Sequence, residues 1–266
     1  MIGDIALKGV SVERGGAPLL RDINFTLGSG ELVTLVGRNG AGKTSLIRTL
    51  LGLLPLKQGE VSVGGRSLNK LGGSERAAWL GWVPQVWKLE EPLSLLEFVS
   101  SARYRFKESR ARTLTAAEAA LSEVGLLHLA HRAVPGLSGG EAQRAALAAL
   151  VAQDAACWLL DEPGNHLDPA QQFAMYEFIG RQWRAGRRIL CITHDIGLLS
   201  HLGTADGEAD FRVVGMDDGT LVFDHRYLAP RLPGAIEDLF SVDVQILRTG
   251  DRMRMVTTAR AGEERL

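Results

Sequence analysis

The chain has 266 residues, of which 45% are hydrophobic and 23% are charged, so it is long enough for a substantial core and lacks the composition of a disordered protein. Its 30 Lys and Arg residues oppose 31 Asp and Glu residues, and the net charge of -1 excludes a purely electrostatic binder of nucleic acid or membranes. Cys157 and Cys191 lie in separate apolar runs, which excludes a disulfide framework and fits a reducing compartment.

No segment predicts export or a membrane span. The first ten residues, MIGDIALKGV, include Asp4 and no basic stretch before an apolar run, so they do not resemble a signal peptide. The richest apolar stretch, residues 145–160, is interrupted by Gln153 and Asp154, and no uncharged run approaches the ~20 residues of a spanning helix. We therefore expect another chain to provide any membrane-spanning part.

Strands are the main elements predicted in the first 84 residues. Alternation in residues 4–12 and 20–27 predicts an antiparallel pair. The nearly all-apolar run from Glu31 predicts a strand buried on both faces, followed by a glycine-rich turn and a helix that ends near Gly52. Further short strands are predicted at residues 59–63 and 80–84.

The pattern changes between about Glu91 and Ala133, where Ala, Glu, Arg and Leu recur at helical spacing. Beyond it, helices are predicted near Gly140, over Pro169–Arg184, after Asp195 and near residues 235–240, with buried strands at CWLLD and RILCIT. This alternation predicts a mainly parallel α/β sheet with right-handed connections. We predict one domain over residues 1–266, with an N-terminal antiparallel β subdomain, a helical subdomain at about 91–135 and a strand/helix tail at about 210–266.

Residues 37–44, GRNGAGKT, match the phosphate-loop pattern G-x-x-x-x-G-K-[ST] without a mismatch. A chance glycine-rich turn is the alternative, but the match stands between a buried strand and an apolar-periodic helix. It therefore predicts a P-loop NTPase core, in which Lys43 reaches the β/γ-phosphates and Thr44 holds Mg²⁺. The candidate ATP-binding residues here are Gly37, Arg38, Asn39, Gly40, Ala41, Gly42, Lys43, Thr44 and Ser45.

Two acids end the apolar strand WLL. Alone, Asp161 and Glu162 are equally well explained as helix-capping or solvated turn residues. With a phosphate loop in the same chain, Asp161 becomes the candidate Mg²⁺ ligand and Glu162 the candidate general base for an attacking water.

The most diagnostic segment is LSGGE, which comprises Leu137, Ser138, Gly139, Gly140 and Glu141. On its own it is a turn followed by a capped helix start. In order and spacing, the three motifs together resemble the ATP-binding cassette (ABC) family, and the resemblance runs from about residue 3 to residue 240. It implies an ATPase that uses ATP and Mg²⁺.

The resemblance implies further roles. Gln85 resembles the family's glutamine that touches Mg²⁺ or the attacking water and faces the transporter partner, and His194 resembles the switch histidine on the γ-phosphate. Asp168 resembles the D-loop aspartate that works across a dimer. The family more often has Ser-Ala where Asn165 and His166 stand, so this loop departs from the common pattern.

The resemblance also implies partners. In the family, the signature helix closes on the γ-phosphate of a second copy, so two ATP molecules lie in a sandwich dimer. Transmembrane permease subunits and an external substrate-binding protein would complete a transporter at the cytoplasmic face of the membrane. The segments 232–242 and 164–168 resemble the importers of ferric siderophores, haem and vitamin B12. Export by a related transporter remains an alternative.

A second alternative is an ABC ATPase that acts on nucleic acid. The four arginines Arg103, Arg105, Arg110 and Arg112 are its only support. With balanced net charge, a solvated helix face explains them better. We therefore expect no nucleic-acid partner.

Arg14 is a candidate adenine contact. Many ABC proteins stack an aromatic residue on the base, roughly two dozen positions before the phosphate loop, and Arg14 stands at that place here. A planar guanidinium can also stack on a purine. A solvated turn residue is the alternative.

Overall fold

The computed structural model describes residues 3–86, 92–165, 167–203, 211–249 and 252–260. Its strands are β1 Ile5–Arg14, β2 Ala17–Leu27, β3 Leu32–Val36, β4 Gln58–Val63, β5 Arg66–Ser67, β6 Leu80–Val83, β7 Cys157–Asp161, β8 Arg188–Ile192, β9 Arg212–Asp217, β10 Thr220–Arg226, β11 Val242–Thr249 and β12 Arg252–Ala259. Its α-helices are α1 Lys43–Leu50, α2 Gly73–Trp79, α3 Leu95–Ser101, α4 Arg110–Glu123, α5 Gly139–Gln153, α6 Pro169–Arg184 and α7 Leu232–Phe240. Within the described ranges, none of these helices has the length and apolarity needed to cross a membrane.

The N-terminal sheet is antiparallel, with strand order β2-β1-β4-β5. Ile5, Leu7 and Val10 of β1 are buried in its core. The register of β1 shifts between Leu7 and Val10, where Gly9 has a φ of +58°. This bulge brings apolar residues three positions apart onto the same face. The predicted antiparallel pair is confirmed.

The central sheet has six strands in the order β10-β9-β3-β8-β7-β6. Every neighbouring pair is parallel except β9 and β10. All residues of β3, β7 and β8 are buried, because a hydrophobic core covers each face of the sheet. In β3, Leu32 and Val36 belong to one core, whereas Val33 and Leu35 belong to the other. The predicted mainly parallel α/β sheet is confirmed.

Helices fill the described part of the predicted insert. Helices α3 and α4 pack on each other and on α5. Ser94 caps α3 in a capping box with Glu97, and Ser109 caps α4 by accepting the backbone N–H of Arg112.

The arginines of the insert divide into two pairs. Arg103 pairs with Glu108 and donates to the carbonyl of Ala152 at 2.9 Å, while Arg105 donates to the carbonyls of Gln153 and Asp154. These two cations therefore satisfy carbonyls at the C-terminal end of α5. The expectation of a solvated helix face is wrong for Arg103 and Arg105, whereas Arg110 and Arg112 are exposed.

Three elements of the structure differ from the prediction. The helix predicted after Asp195 is a 3₁₀ helix, Ile196–His201, whose first turn is closed by Asp195 accepting the N–H of Gly197. Helix α2 was not predicted, and neither was β12, which pairs with β11 in a hairpin. Helix α7 lies at the predicted place, near residues 235–240.

Candidate active site

The candidate site lies at the carboxyl edge of the parallel strands. Strands β3, β6, β7 and β8 end at this edge, so the residues that follow them collect in one place. A cavity of about 460 Å³ opens there, lined by Gly37, Arg38, Asn39, Gln85, Glu162, Asn165, His194 and Phe240. The fold thus brings the three predicted catalytic side chains, Gln85, Glu162 and His194, next to the phosphate loop.

Two glycines of the phosphate loop meet neighbours that leave no room for a side chain. A Cβ on Gly37 would lie 2.2 Å from the carbonyl oxygen of Met216. Gly42 has a φ of +101°, and its Cβ would lie 2.8 Å from the carbonyl oxygen of Leu19. Because only glycine fits both positions, the loop can pass between β2 and β9 and turn into α1.

Lys43 begins α1 with its side chain folded back over the loop. Its Nζ donates to the carbonyl oxygens of Gly37 at 2.7 Å and Arg38 at 2.9 Å. Burial lowers the pKa of Lys43, and the nearby carboxylates of Glu162 and Asp161 oppose that effect. The ammonium group is therefore held at the loop with acidic partners close by.

The two candidate Mg²⁺ ligands on the loop and β7 contact each other. The Thr44 hydroxyl donates to Asp161 Oδ1 at 3.2 Å. Burial raises the pKa of Asp161, and the negative charge of Glu162 raises it further. The Thr44 hydrogen bond and the positive charges of Arg48 and Lys43 act in the opposite direction. Within the described ranges, no three His, Cys, Asp or Glu side chains form a metal-binding group. One carboxylate and one hydroxyl fit Mg²⁺, which takes few protein ligands and completes its shell with water and phosphate oxygens.

Glu162 has an uncommon backbone conformation at the centre of the site. Its φ is +50°, and its N–H donates to the carbonyl of Ile192 at 3.1 Å. Its Oε2 accepts a hydrogen bond from Gln85 Nε2 at 2.8 Å and lies 3.4 Å from His194 Nδ1. Asn165 Nδ2 donates to the same oxygen at 3.3 Å. A left-handed conformation in a non-glycine residue marks a position fixed by its surroundings.

The signature and D-loop residues cap helices in this chain. Ser138 Oγ accepts the N–H of Glu141, whose carboxylate accepts the N–H of Ser138 at 2.7 Å. Asp168 caps α6 by accepting the N–H of Gln171 at 2.9 Å. Gly140 lines a separate cavity of about 330 Å³ between α5 and α6. Gly139 is the first residue of α5, and Leu137 packs against the core.

The comparisons with known proteins agree with these motifs. Residues 20–165 match the family model described as ABC transporter. This chain belongs to the ABC transporter family. It is 32% identical over 250 residues to the hemin import ATP-binding protein HmuV of Pseudomonas putida, covering 91% of this chain and 94% of that relative. It is 25% identical over 254 residues to the iron(3+)-hydroxamate import ATP-binding protein FhuC of Bacillus subtilis, covering 92% and 91%.

The fold is also that of a solved ABC cassette. The dimeric structure of the cassette MJ0796, described as a post-hydrolysis state bound to ADP and Pi, aligns with a TM-score of 0.75 and 24% identity, covering 85% of this chain and 99% of that one. Membership of the ABC family makes this chain an ATP-binding ATPase whose hydrolysis is coupled to transport.

Of the remaining predicted ATP-binding residues, only some line the cleft. Ala41 is buried, Gly40 has a φ of +83°, and Ser45 lies in α1. Asn39 is exposed and lines the cleft. Arg14 is exposed at the end of β1, where it pairs with Ala17, and its adenine contact stays a prediction. His166 lies outside the described residues.

Two residues of the cleft were missed at the level of sequence. Asn165 was noted as a departure from the common family pattern and as part of segment 164–168, with no role of its own, although its amide donates to the proposed base. Phe240 lies in segment 232–242, whose resemblance gave it no role at the site, and it reaches the cleft because the end of α7 packs beside the phosphate loop. The spacing from Glu162 to Asn165 offered a signal, since three residues is the reach of a tight turn.

Proposed function

We propose that this chain is the ATP-hydrolysing subunit of an importer for a metal chelate, a ferric siderophore or haem, or for vitamin B12. The observation that carries the ATPase assignment is the convergence of Gln85 and His194 on the Glu162 carboxylate beside the phosphate loop. The cargo class is supported by relatives whose names specify hemin and iron(3+)-hydroxamate import.

The phosphate loop supplies the binding part of the reaction. Backbone N–H groups of residues 37–44 and the N-terminal end of α1 would hold the phosphates, with Lys43 on the β/γ oxygens. Thr44 and Asp161 would hold Mg²⁺, with Gln85 at its edge. The metal would neutralise charge on the β- and γ-phosphate oxygens.

Glu162 supplies the general base. As a water oxygen bonds to the γ-phosphorus, its proton passes to the Glu162 carboxylate, and the bond from that phosphorus to the β–γ bridging oxygen breaks. ADP and inorganic phosphate are the products. The Nδ1 atom of His194 lies 3.4 Å from Glu162 Oε2. His194 would contact the γ-phosphate and so hold the base and the phosphate in a fixed relative position.

A second copy of the chain completes each site in this proposal. Ser138 caps α5 and Gly140 lies in its first turn, and this N-terminal end would meet the γ-phosphate bound by the other copy. Asp168 would act across the same interface. ATP would join the two copies, and hydrolysis would release them.

The partners follow from the same surfaces. The helical subdomain at about 91–135, with Gln85 at its entrance, would dock the permease, and Val86 and Tyr104 expose 65% and 67% of their area there. Docking would place the chain at the cytoplasmic face of the membrane, and an external substrate-binding protein would deliver the cargo. The tail at about 210–266 belongs to the same single domain, and no nucleic acid takes part.

The Glu162→Gln variant tests this proposal. It should bind ATP but hydrolyse it at least a hundredfold more slowly, because an amide keeps the shape and loses the base. The trapped complex should elute as an ATP-dependent dimer in size-exclusion chromatography. Glu118→Gln, which changes an exposed acid of α4, is the matched control and should keep turnover. Undiminished hydrolysis by Glu162→Gln would refute the assignment of the base.

A further inference from the structure

Asn165 and Glu162 form one tight turn. The N–H of Asn165 donates to the carbonyl oxygen of Glu162 at 3.0 Å, and the side-chain Nδ2 of Asn165 donates to Oε2 of the same glutamate at 3.3 Å. The turn is fixed from outside, because Gln172 Nε2 donates to the carbonyl of Gly164 at 3.1 Å. Backbone and side chain of Asn165 therefore act on the same neighbour.

Three nitrogen atoms converge on one oxygen of the glutamate. Gln85 Nε2 lies 2.8 Å from Oε2, Asn165 Nδ2 lies 3.3 Å from it, and His194 Nδ1 lies 3.4 Å from it. Among the described residues, no hydrogen-bond donor engages the second oxygen, Oε1. The asymmetry fixes the carboxylate through Oε2 and leaves Oε1 to accept a proton.

The three partners differ in where they come from. Gln85 follows β6 and His194 follows β8, so each belongs to a separate segment that also lines the nucleotide cleft. Asn165 belongs to the turn of Glu162 itself, so its amide stays beside the carboxylate when the other segments move. A local partner of this kind preserves a productive rotamer, which catalysis requires.

We propose that Asn165 is a positioning residue for the general base, which rests on the proposed function of Glu162. Its amide holds Oε2 and thereby sets the direction of Oε1 toward the attacking water. Because Asn165 lies three residues before Asp168, the cap of α6, the carboxylate is also tied to the D-loop.

The competing explanation is that Asn165 only closes the turn. Two variants separate these roles. Asn165→Ala removes the donor to Oε2, and Asn165→Asp keeps the size but replaces the donor with a second carboxylate. We expect kcat to fall about tenfold in Asn165→Ala and further in Asn165→Asp, with KM for ATP unchanged within about twofold, because a lost hydrogen bond to a charged group is worth about that much.

Gln172→Ala is the matched control. It removes a hydrogen bond to the same turn without touching Glu162. It should lower the unfolding temperature as much as Asn165→Ala does, yet keep kcat within about twofold. Equal loss of kcat in Gln172→Ala and Asn165→Ala would overturn the positioning role, because it would assign the effect to turn stability.

A double variant distinguishes failure of this proposal from failure of the proposed function. In the Glu162→Gln background, Asn165→Ala should cause no further loss of turnover, since there is no base left to position. The ATP-dependent dimer should still form. A further tenfold loss there, or wild-type kcat in both Asn165 variants, would overturn the role of Asn165. Wild-type turnover in Glu162→Gln alone would instead overturn the base itself.

Discussion

The guanidinium of Arg38 joins the phosphate loop to the end of α7, because its Nε donates to the carbonyl oxygen of Leu239 at 2.8 Å. Its Nη2 also donates to Ser241 Oγ at 2.6 Å. The neighbouring Phe240 lines the cleft together with the loop. A residue of the phosphate loop and a residue of the tail, distant in sequence, therefore hold each other in place.

This contact predicts a stability effect in the absence of nucleotide. Arg38→Ala removes both hydrogen bonds and should lower the free energy of unfolding by about 1 kcal/mol, since one of the bonds is exposed and the other is only partly buried. Ser241→Ala removes one bond and should cost less. Urea titration of the nucleotide-free variants checks the order. A Ser241→Ala loss that exceeds the Arg38→Ala loss would contradict it.

The signature helix provides a second prediction. In the Glu162→Gln background, Ser138→Arg should abolish the ATP-dependent dimer, because it places a bulky cation where α5 would meet the other copy. Ser138→Ala is the control, since both variants lose the helix cap, which is worth about 1 kcal/mol, and only one adds the cation. Light scattering with ATP measures the dimer. An undiminished dimer in Ser138→Arg would exclude a signature that acts across the interface.

The motifs predicted the fold class and several of the side-chain contacts at the site. They could do so because each motif is a matter of local residue spacing. Thr44 and Asp161 are 117 positions apart, yet the phosphate loop and the strand ending in two acids together indicated their contact. The Arg38–Leu239 contact had no such signal, since it depends on how α7 packs. Arg103 and Arg105 were misjudged for a related reason, because charge counts do not show which cations turn onto helix carbonyls.

The two cysteines give a prediction about reactivity. Burial raises the pKa of Cys157 to about 12, and burial also raises the pKa of Cys191. Because the thiolate is the reactive form, iodoacetamide at pH 8 should leave both thiols of the folded protein unmodified. In guanidinium chloride both should react, and Cys157→Ala should leave one. Mass spectrometry counts the adducts, and stoichiometric labelling of the folded chain would contradict the buried positions on β7 and β8.

The adenine contact of Arg14 is the last prediction. Arg14 is exposed at the end of β1, so its guanidinium has the freedom to lie on a purine face. Stacking on a base is worth ~1–3 kcal/mol, so Arg14→Ala should weaken ATP binding about tenfold, and Arg14→Tyr should largely restore it. Arg21→Ala removes another half-exposed cation of the same sheet and should leave ATP affinity unchanged.

The Arg14→Tyr variant separates stacking from an electrostatic effect of the same arginine. Stacking uses the face of the base and none of its hydrogen-bonding edge, so ATP and GTP should bind with similar affinity in the parent and in Arg14→Tyr. An electrostatic contribution would respond to the loss of positive charge, and Arg14→Tyr would then bind as weakly as Arg14→Ala. Fluorescence titration measures all three proteins. Equal ATP affinity in the parent and in Arg14→Ala would show that Arg14 is a solvated turn residue without an adenine contact.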